Sequence, residues 1–341
     1  MSNPDAGPPA AVIFGCAGAS LSDDERRFFA EAQPFGFILF ARNCETPDQV
    51  RALVAALRET VGRADAPVLI DQEGGRVQRL KPPHWRAAPT ARRFGELAGR
   101  DLDAARAATR LNFHLIADEL AELGIDVDCV PVLDVPQRGA DDVIGARAFD
   151  ETPEIVAALG QAACAGLRDG GVQPVIKHIP GHGRADVDTH LALPVVTAPL
   201  EVLRAVDFAP FRACVDAPWA MTAHVVYQAI DARPATFSPR VIADIIRGEI
   251  GFEGLLLCDD LSMAALDGEI DTRATAVLAA GCDIVLHCNG DLGEMRRVAG
   301  VTPPLSVAAQ ARVAALPPRA DVAPIDRVAL TARLDAMLAG A

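Results

Sequence analysis

Short apolar runs and longer amphipathic stretches alternate along the whole chain. Eight runs rich in Val, Ile and Leu stand out: residues 10–15 ("AAVIFG"), 36–41 ("GFILFA"), 67–72 ("PVLIDQ"), 125–135 ("IDVDCVPVLDV"), 172–180 ("VQPVIKHIP"), 219–227 ("WAMTAHVVY"), 252–260 ("FEGLLLCDD") and 282–288 ("CDIVLHC"). Such runs, nearly continuous rather than alternating, mark strands buried on both faces, as in a parallel sheet covered by helices. Between them, residues 46–62, 101–124, 151–171 and 271–282 carry apolar positions at helical spacing. Thr46 and Thr152 each precede a proline, which predicts a threonine N-cap with proline at the first helical position. Strand followed by helix, repeated around the chain, predicts an α/β fold of the (β/α)8 TIM-barrel type. An open doubly wound sheet competes, but the first strand runs into "GCAGASLS", which lacks the GxGxxG turn of a dinucleotide site. No linker divides the chain. The prediction is one domain over 1–341: a barrel core of about 10–300, then a Pro-rich approach to a last helix near 325–339 closing over the barrel, in an extension of about 301–341.

Composition narrows the function classes. Half of the 341 residues are hydrophobic, enough for a sizeable core, and the formal charge of -14 argues against a nucleic-acid partner, which needs clustered Lys and Arg. The N-terminus has no basic region followed by an apolar run, and no stretch reaches the roughly 18 apolar residues of a membrane span. The expectation is a soluble, cytoplasmic protein with no membrane partner. Cys16, Cys44, Cys129, Cys164, Cys214, Cys258, Cys282 and Cys288 are scattered without a CxxC pair, and most lie in apolar runs, as reduced buried thiols do.

In a barrel, chemistry belongs at the C-terminal ends of the strands, and the polar clusters fall there. The third run leads into "DQEGGRVQRL", the fifth into "KHIPGHGRADVDTH" (177–190), the sixth carries His224, and the seventh ends in "CDDLSM". Asp71 and Asp259 close apolar runs, where an unpaired carboxylate is costly to bury, so each needs partners, a solvated pocket or a helix to cap. Neighbouring residues of a strand point to opposite sides, so one aspartate of Asp259 and Asp260 can face a pocket while the other serves as an N-cap.

Residues 177–190 hold three of the chain's seven histidines. Asp186, Asp188 and His190 share one face if extended, so Asp188 could orient His190 as a general acid/base. A metal held by His178, His182 and His190 is the alternative, though the spacing matches no common zinc signature and "IPG" prevents a helical pair. Lys177 reads as a donor to a hydroxyl-rich or anionic substrate, with Arg79 and Arg147 as companions, or as a salt-bridge partner of Asp71 or Glu73. His114 and His84 read as packing or surface residues.

Four blocks, "IDQEGGRVQRL" (70–80), "VIGARAF" (143–149), "KHIPGHGRADVDTH" (177–190) and "EGLLLCDDLSM" (253–263), resemble in order and spacing the signature blocks of the bacterial β-N-acetylhexosaminidases of glycoside hydrolase family 3. The resemblance implies a (β/α)8 barrel and retaining hydrolysis of terminal non-reducing β-linked N-acetylglucosamine. It makes Asp259 the nucleophile, Asp188 and His190 the acid/base dyad, and Asp71, Arg79, Arg147, Lys177 and His178 the sugar-binding residues, with no metal or organic cofactor. The "GHG" glycines would let the loop carry His190 in and out. Cys258 stands where the family usually has Ser or Thr, and Ile179 where it usually has Phe. A chain ending soon after its barrel, without an export signal, resembles the cytoplasmic peptidoglycan-recycling members, whose small-molecule substrates are N-acetylglucosaminyl muropeptides (GlcNAc-1,6-anhydro-MurNAc with or without peptide) and whose products influence β-lactamase induction in some bacteria. A monomer or weak homodimer is expected. A phosphorylase of the same family, a metal-dependent barrel hydrolase and a non-catalytic sugar-binding protein remain as alternatives.

Overall fold

Eight parallel strands run in chain order around a barrel: β1 (Ala10–Gly15), β2 (Pro34–Leu39), β3 (Val68–Ile70), β4 (Val127–Asp128), β5 (Gln173–Ile179), β6 (Trp219–Thr222), β7 (Leu255–Leu257) and β8 (Val285–His287). The computed structural model describes residues 7–137, 139, 141–185, 187, 192–318 and 322–339. β8 returns beside β1, with Val12 opposite Val285. The seam between β7 and β8 is joined by a parallel bridge from Leu257 to Ile284 and by Asp283 N donating to Leu256 O at 2.8 Å. The strands are apolar along nearly their whole length because both faces are covered, one by the barrel interior and one by helices.

Each strand predicted from the apolar pattern is present, and the helices Pro47–Thr60, Leu102–Glu122, Pro153–Asp169 and Ile270–Ala280 lie within or one residue outside the predicted stretches. Thr46 caps as expected, its hydroxyl accepting from Gln49 N at 3.3 Å with Pro47 next in line. Thr152 does not: its side chain makes no cap bond, and its own N–H goes to Asp150 Oδ1 at 2.8 Å. The long run 125–135 pairs as a regular strand only over Val127–Asp128. Pro131 has no N–H to continue the ladder, and the chain resumes pairing with β5 at a single bridge, Val132 to Lys177. Beyond that break residues 129–135 run on toward the C-terminal mouth of the barrel.

The C-terminal segment is placed differently from expectation. The last helix, Arg327–Ala339, does not close over the barrel; it packs on the outside of Leu102–Glu122, where Arg327 Nη1 meets Glu122 at 2.7 Å and its Nε meets Asp118. Residues 303–317 lie instead against the N-terminal end of the barrel, with Leu305 N bonded to Pro9 O at 2.8 Å and Gln173 Nε2 to Pro317 O at 3.0 Å. Among the described residues no helix is long and apolar enough to cross a membrane. All eight cysteines are free thiols, and only Cys44 is less than fully buried.

Candidate active site

At the C-terminal mouth a cavity of about 250 Å³ is lined by Asp71, Glu73, Arg79, Arg147, Lys177, His178, His182 and Asp259, with Phe40, Val77, Val143, Ile144, Met221 and Met263 supplying apolar wall. Larger clefts lie elsewhere, one around the C-terminal helix and one at the N-terminal end of the barrel, but neither gathers the groups of a reaction. Usual pockets for drug-sized ligands hold about 300–1,000 Å³, so the mouth cavity suits one small polar molecule with any remainder outside.

Asp71, just past β3, and Glu73, in the short antiparallel pair Gln72–Gly74 and Val77–Gln78, share one lysine. Lys177 Nζ lies 2.8 Å from Asp71 Oδ1 and 2.7 Å from Glu73 Oε1. Asp71 Oδ2 also accepts from Arg79 Nη2 at 3.0 Å, and Glu73 takes both Nε and Nη2 of Arg147 at 2.8 Å each. Lys177 is thus the salt-bridge partner of both Asp71 and Glu73, and it also lines the cavity. Burial opposes every one of these charges, yet pairing wins. Lys177 and Arg79 hold the Asp71 carboxyl well below the usual carboxylate range, Arg147 and Lys177 hold Glu73 down to about 2, and the two carboxylates raise Lys177 above an ordinary lysine. The group itself carries three positive and two negative charges, and the Asp259 carboxylate on the same cavity wall balances the difference.

Below it Asp128, on β4, is fully buried and takes Gln72 N at 2.9 Å on Oδ1, while Oδ2 has no partner. Burial pushes its carboxyl up to about 8. It is therefore neutral over much of the range in which its neighbours are charged.

Asp259 follows β7 and is half-buried at the cavity wall. Its Oδ1 accepts Asp260 N at 2.8 Å, and Oδ2 has no partner among the described residues. Burial opposes its charge, but His178, His224 and the Asp260 amide together keep the carboxyl below its usual range. Asp260 also borders the cavity, but its carboxylate is taken up by the turn and by β8. It accepts Ser262 N at 3.1 Å, Ser262 Oγ at 2.5 Å and Cys288 N at 3.0 Å. No helix begins there, so Asp260 closes a turn and ties β7 to β8 rather than capping a helix. Cys258, behind the pair, is buried, and its sulfur accepts Leu286 N at 3.2 Å, taking the place a serine or threonine hydroxyl would fill.

The histidines divide by their partners. His224 is bound at both nitrogens, to Thr236 Oγ1 at 2.7 Å and to Asp260 O at 3.0 Å, and burial lowers its basicity, so it is structural. His182 is buried with Nδ1 unpartnered, and burial with the neighbouring His178 lowers it to about 4. His178 lies on the cavity wall with Nδ1 2.7 Å from Asp134 Oδ2. Sequence reasoning missed Asp134, though a lone aspartate in the apolar "PVLDV" carried the same signal that drew attention to Asp71 and Asp259.

The base of the loop is fixed. Asp134 Oδ1 accepts His182 N at 2.7 Å, Tyr227 Oη donates to Gly181 O at 2.6 Å, and Arg184 Nε pairs with Asp207 at 2.7 Å. A Cβ on Gly183 would lie 2.1 Å from Val135 O, so that glycine permits close backbone contact. Asp186, Asp188 and His190 lie outside the described residues. The structure thus gathers Asp71, Arg79, Arg147, Lys177, His178 and Asp259 in one cavity, and His182 joins them there without His190 being described.

Comparison with known proteins adds to this geometry. Residues 13–316 match the glycosyl hydrolase family 3 N terminal domain. Beta-hexosaminidase of Alkalilimnicola ehrlichii is 43% identical over 282 residues, covering 82% of this chain and 80% of that protein, and the Methylococcus capsulatus beta-hexosaminidase is 43% identical over 281 residues, covering 81% and 82%. The crystal structure of NagZ from Neisseria gonorrhoeae in complex with N-trifluoroacetyl-D-glucosamine superposes with a TM-score of 0.85 at 34% identity, covering 97% of each chain. From these matches, which span most of the barrel and its mouth, the chain belongs to glycosyl hydrolase family 3 and is a glycoside hydrolase.

Proposed function

We propose that this enzyme is a retaining β-N-acetylhexosaminidase that removes terminal non-reducing N-acetylglucosamine from peptidoglycan fragments, GlcNAc-1,6-anhydro-MurNAc with or without peptide, during cell-wall recycling in the cytoplasm. The observation that carries this reading is Asp259: a carboxylate kept ionised, with one oxygen unpartnered, on the wall of a cavity the size of a small polar ligand. The named activity of the beta-hexosaminidase relatives and the N-acylated glucosamine held by the gonococcal NagZ support the choice of sugar.

In this reading Asp71, Arg79, Arg147, Lys177 and His178 bind the sugar. Asp259 Oδ2 attacks the anomeric carbon as the bond to the leaving oxygen breaks, and His190 gives its proton to that oxygen. A water then attacks the glycosyl-enzyme, His190 takes up the water's proton, and Asp259 leaves as a carboxylate. Asp188 accepts a hydrogen bond from His190 and favours its protonated form. The step needs no cofactor.

Release of p-nitrophenol from the N-acetyl-β-glucosaminide, compared for the wild type and Asp259→Ala with EDTA and with phosphate in parallel, tests the reading. Activity that resists the chelator, gives the free sugar in the presence of phosphate and disappears in the variant supports it. Near wild-type turnover by Asp259→Ala removes the nucleophile, and a sugar phosphate as product replaces hydrolysis by phosphorolysis.

A further inference from the structure

Asp134 is wholly buried, and each of its oxygens is engaged by the segment that bears the histidines. Oδ1 accepts His178 N at 3.1 Å and His182 N at 2.7 Å, and Oδ2 lies 2.7 Å from His178 Nδ1. A carboxylate in that position is costly without full pairing, and here all three contacts come from one stretch of five residues. Two of the donors are backbone amides, fixed in direction. The third is a ring nitrogen whose protonation is open until its partner is known.

We infer that Asp134 is a positioning residue that sets the ring orientation and tautomer of His178, so that Nδ1 carries hydrogen and Nε2 is presented to the sugar. An ionised carboxylate only accepts hydrogen bonds, so at 2.7 Å it requires Nδ1–H. His178 and His182, despite burial, hold Asp134 down to about 2, so the requirement persists across the working range. Nε2 makes no hydrogen bond to any described residue, while the ring lines the cavity beside Asp259. When the ring is neutral, Nε2 accepts a hydrogen bond from a sugar hydroxyl, whereas the opposite tautomer would turn it into a donor.

The role of Nε2 rests on the reading that His178 contacts the sugar, whereas the tautomer does not. Asp134→Asn separates the two. Its Oδ1 still receives both amides, but an NH2 group now faces Nδ1, which must accept and so give up its hydrogen to Nε2. The experiment is nitrogen-15 NMR of histidine-labelled, substrate-free enzyme, with the His178 signals assigned by their loss in His178→Gln, alongside steady-state kinetics on the p-nitrophenyl N-acetyl-β-glucosaminide. We expect an Nδ1–H ring in the wild type, an Nε2–H ring in Asp134→Asn, and a fall in kcat/KM of at least about tenfold, the effect of one misplaced hydrogen bond to a charged pair. A purely structural Asp134 would not reverse the tautomer. An unchanged tautomer in the variant, or a reversed tautomer with kcat/KM within twofold, overturns the inference. Should Asp134→Asn not fold, a wild-type ring with its hydrogen on Nε2 overturns it alone. A wild type inert toward the glycoside counts against the proposed function, and the NMR result still decides what Asp134 does.

Discussion

Glu73 holds Arg147 through two parallel hydrogen bonds of 2.8 Å, and the same carboxylate takes Lys177 Nζ at 2.7 Å. The pair spans 74 residues of sequence and fixes two of the proposed sugar-binding cations to each other. Glu73→Gln keeps an acceptor but loses the charge, so Arg147 is released from its fork and Lys177 keeps only Asp71 as a counter-ion. Steady-state kinetics should show KM raised by roughly tenfold or more, with kcat changed less, because a ground-state contact is lost. Burial lowers lysine basicity, and Asp71 and Glu73 raise it here; with one of them gone, the alkaline limb of kcat/KM should move to lower pH. Unchanged KM and pH profile would mean that the network serves stability alone.

Asp128 gives the fold a pH dependence of definite sign. Its folded pKa, about 8, lies above the unfolded value of about 3.9. The proton is favoured in the folded state, so its contribution is full below about pH 4 and is lost as pH rises through about 8. Glu73 and Asp134, both held down to about 2, act the other way: their stabilisation is present above the unfolded pKa and is lost as pH falls toward 2. His182, lowered to about 4, adds stability with rising pH only up to its unfolded value near 6.5, and Asp207, raised to about 6, loses its contribution by about that point. Between about pH 6.5 and 8 the slope therefore belongs mainly to Asp128. Asp128→Asn mimics the protonated acid, so its Tm relative to wild type should climb steadily across that window. A difference independent of pH would show that Asp128 is already ionised in the fold.

The barrel was legible because continuous apolar runs and helical periodicity both report burial, which is what a parallel barrel demands. Asp71, Asp259 and Lys177 were legible for the complementary reason, as charges ending apolar runs. Asp134 carried the same signal but was passed over because residues 125–135 read as one strand, in which an internal aspartate looks like an exception; regular pairing ends at Asp128, and Asp134 lies beyond it. The placement of the Arg327–Ala339 helix was hidden as well. Its partners, Asp118 and Glu122, sit on an outer helix more than 200 residues earlier, and no local pattern reports such a pairing.

Cys258 offers a test of how much the residue before the proposed nucleophile matters. Its sulfur accepts Leu286 N at 3.2 Å in a fully buried site between β7 and β8. A serine hydroxyl is smaller but a stronger acceptor of the same bond. Cys258→Ser should leave kcat/KM within about threefold and Tm nearly unchanged, since one hydrogen bond is exchanged for another of net worth about 1 kcal/mol. Cys258→Ala leaves a buried N–H unsatisfied, at a cost of about 1–3 kcal/mol, and should lower Tm more than serine does. Equal Tm for the serine and alanine forms would show that the sulfur contact contributes nothing to the seam.

His190, proposed as the acid/base, is tested by the leaving group rather than by rate alone. Protonation of the departing oxygen matters in proportion to the basicity of that oxygen: a nitrophenolate leaves as a stable anion, whereas an alkoxide or sugar oxygen does not. General acid catalysis contributes typically about 10²–10⁴-fold. His190→Ala should therefore lose a factor of that order on N-acetylglucosaminyl disaccharides and alkyl glycosides while losing far less on the nitrophenyl glycoside in the glycosylation step. Across a series of aryl glycosides, log kcat/KM should be nearly flat with leaving-group basicity in the wild type and fall steeply in the variant. In the proposed mechanism the second half of the reaction also needs His190, as a base toward water, so kcat on the nitrophenyl substrate should drop more than kcat/KM, with accumulation of a glycosyl-enzyme seen as a burst of nitrophenol. Equal losses for every leaving group, with no burst, would assign proton transfer to some other residue and leave His190 with a binding role.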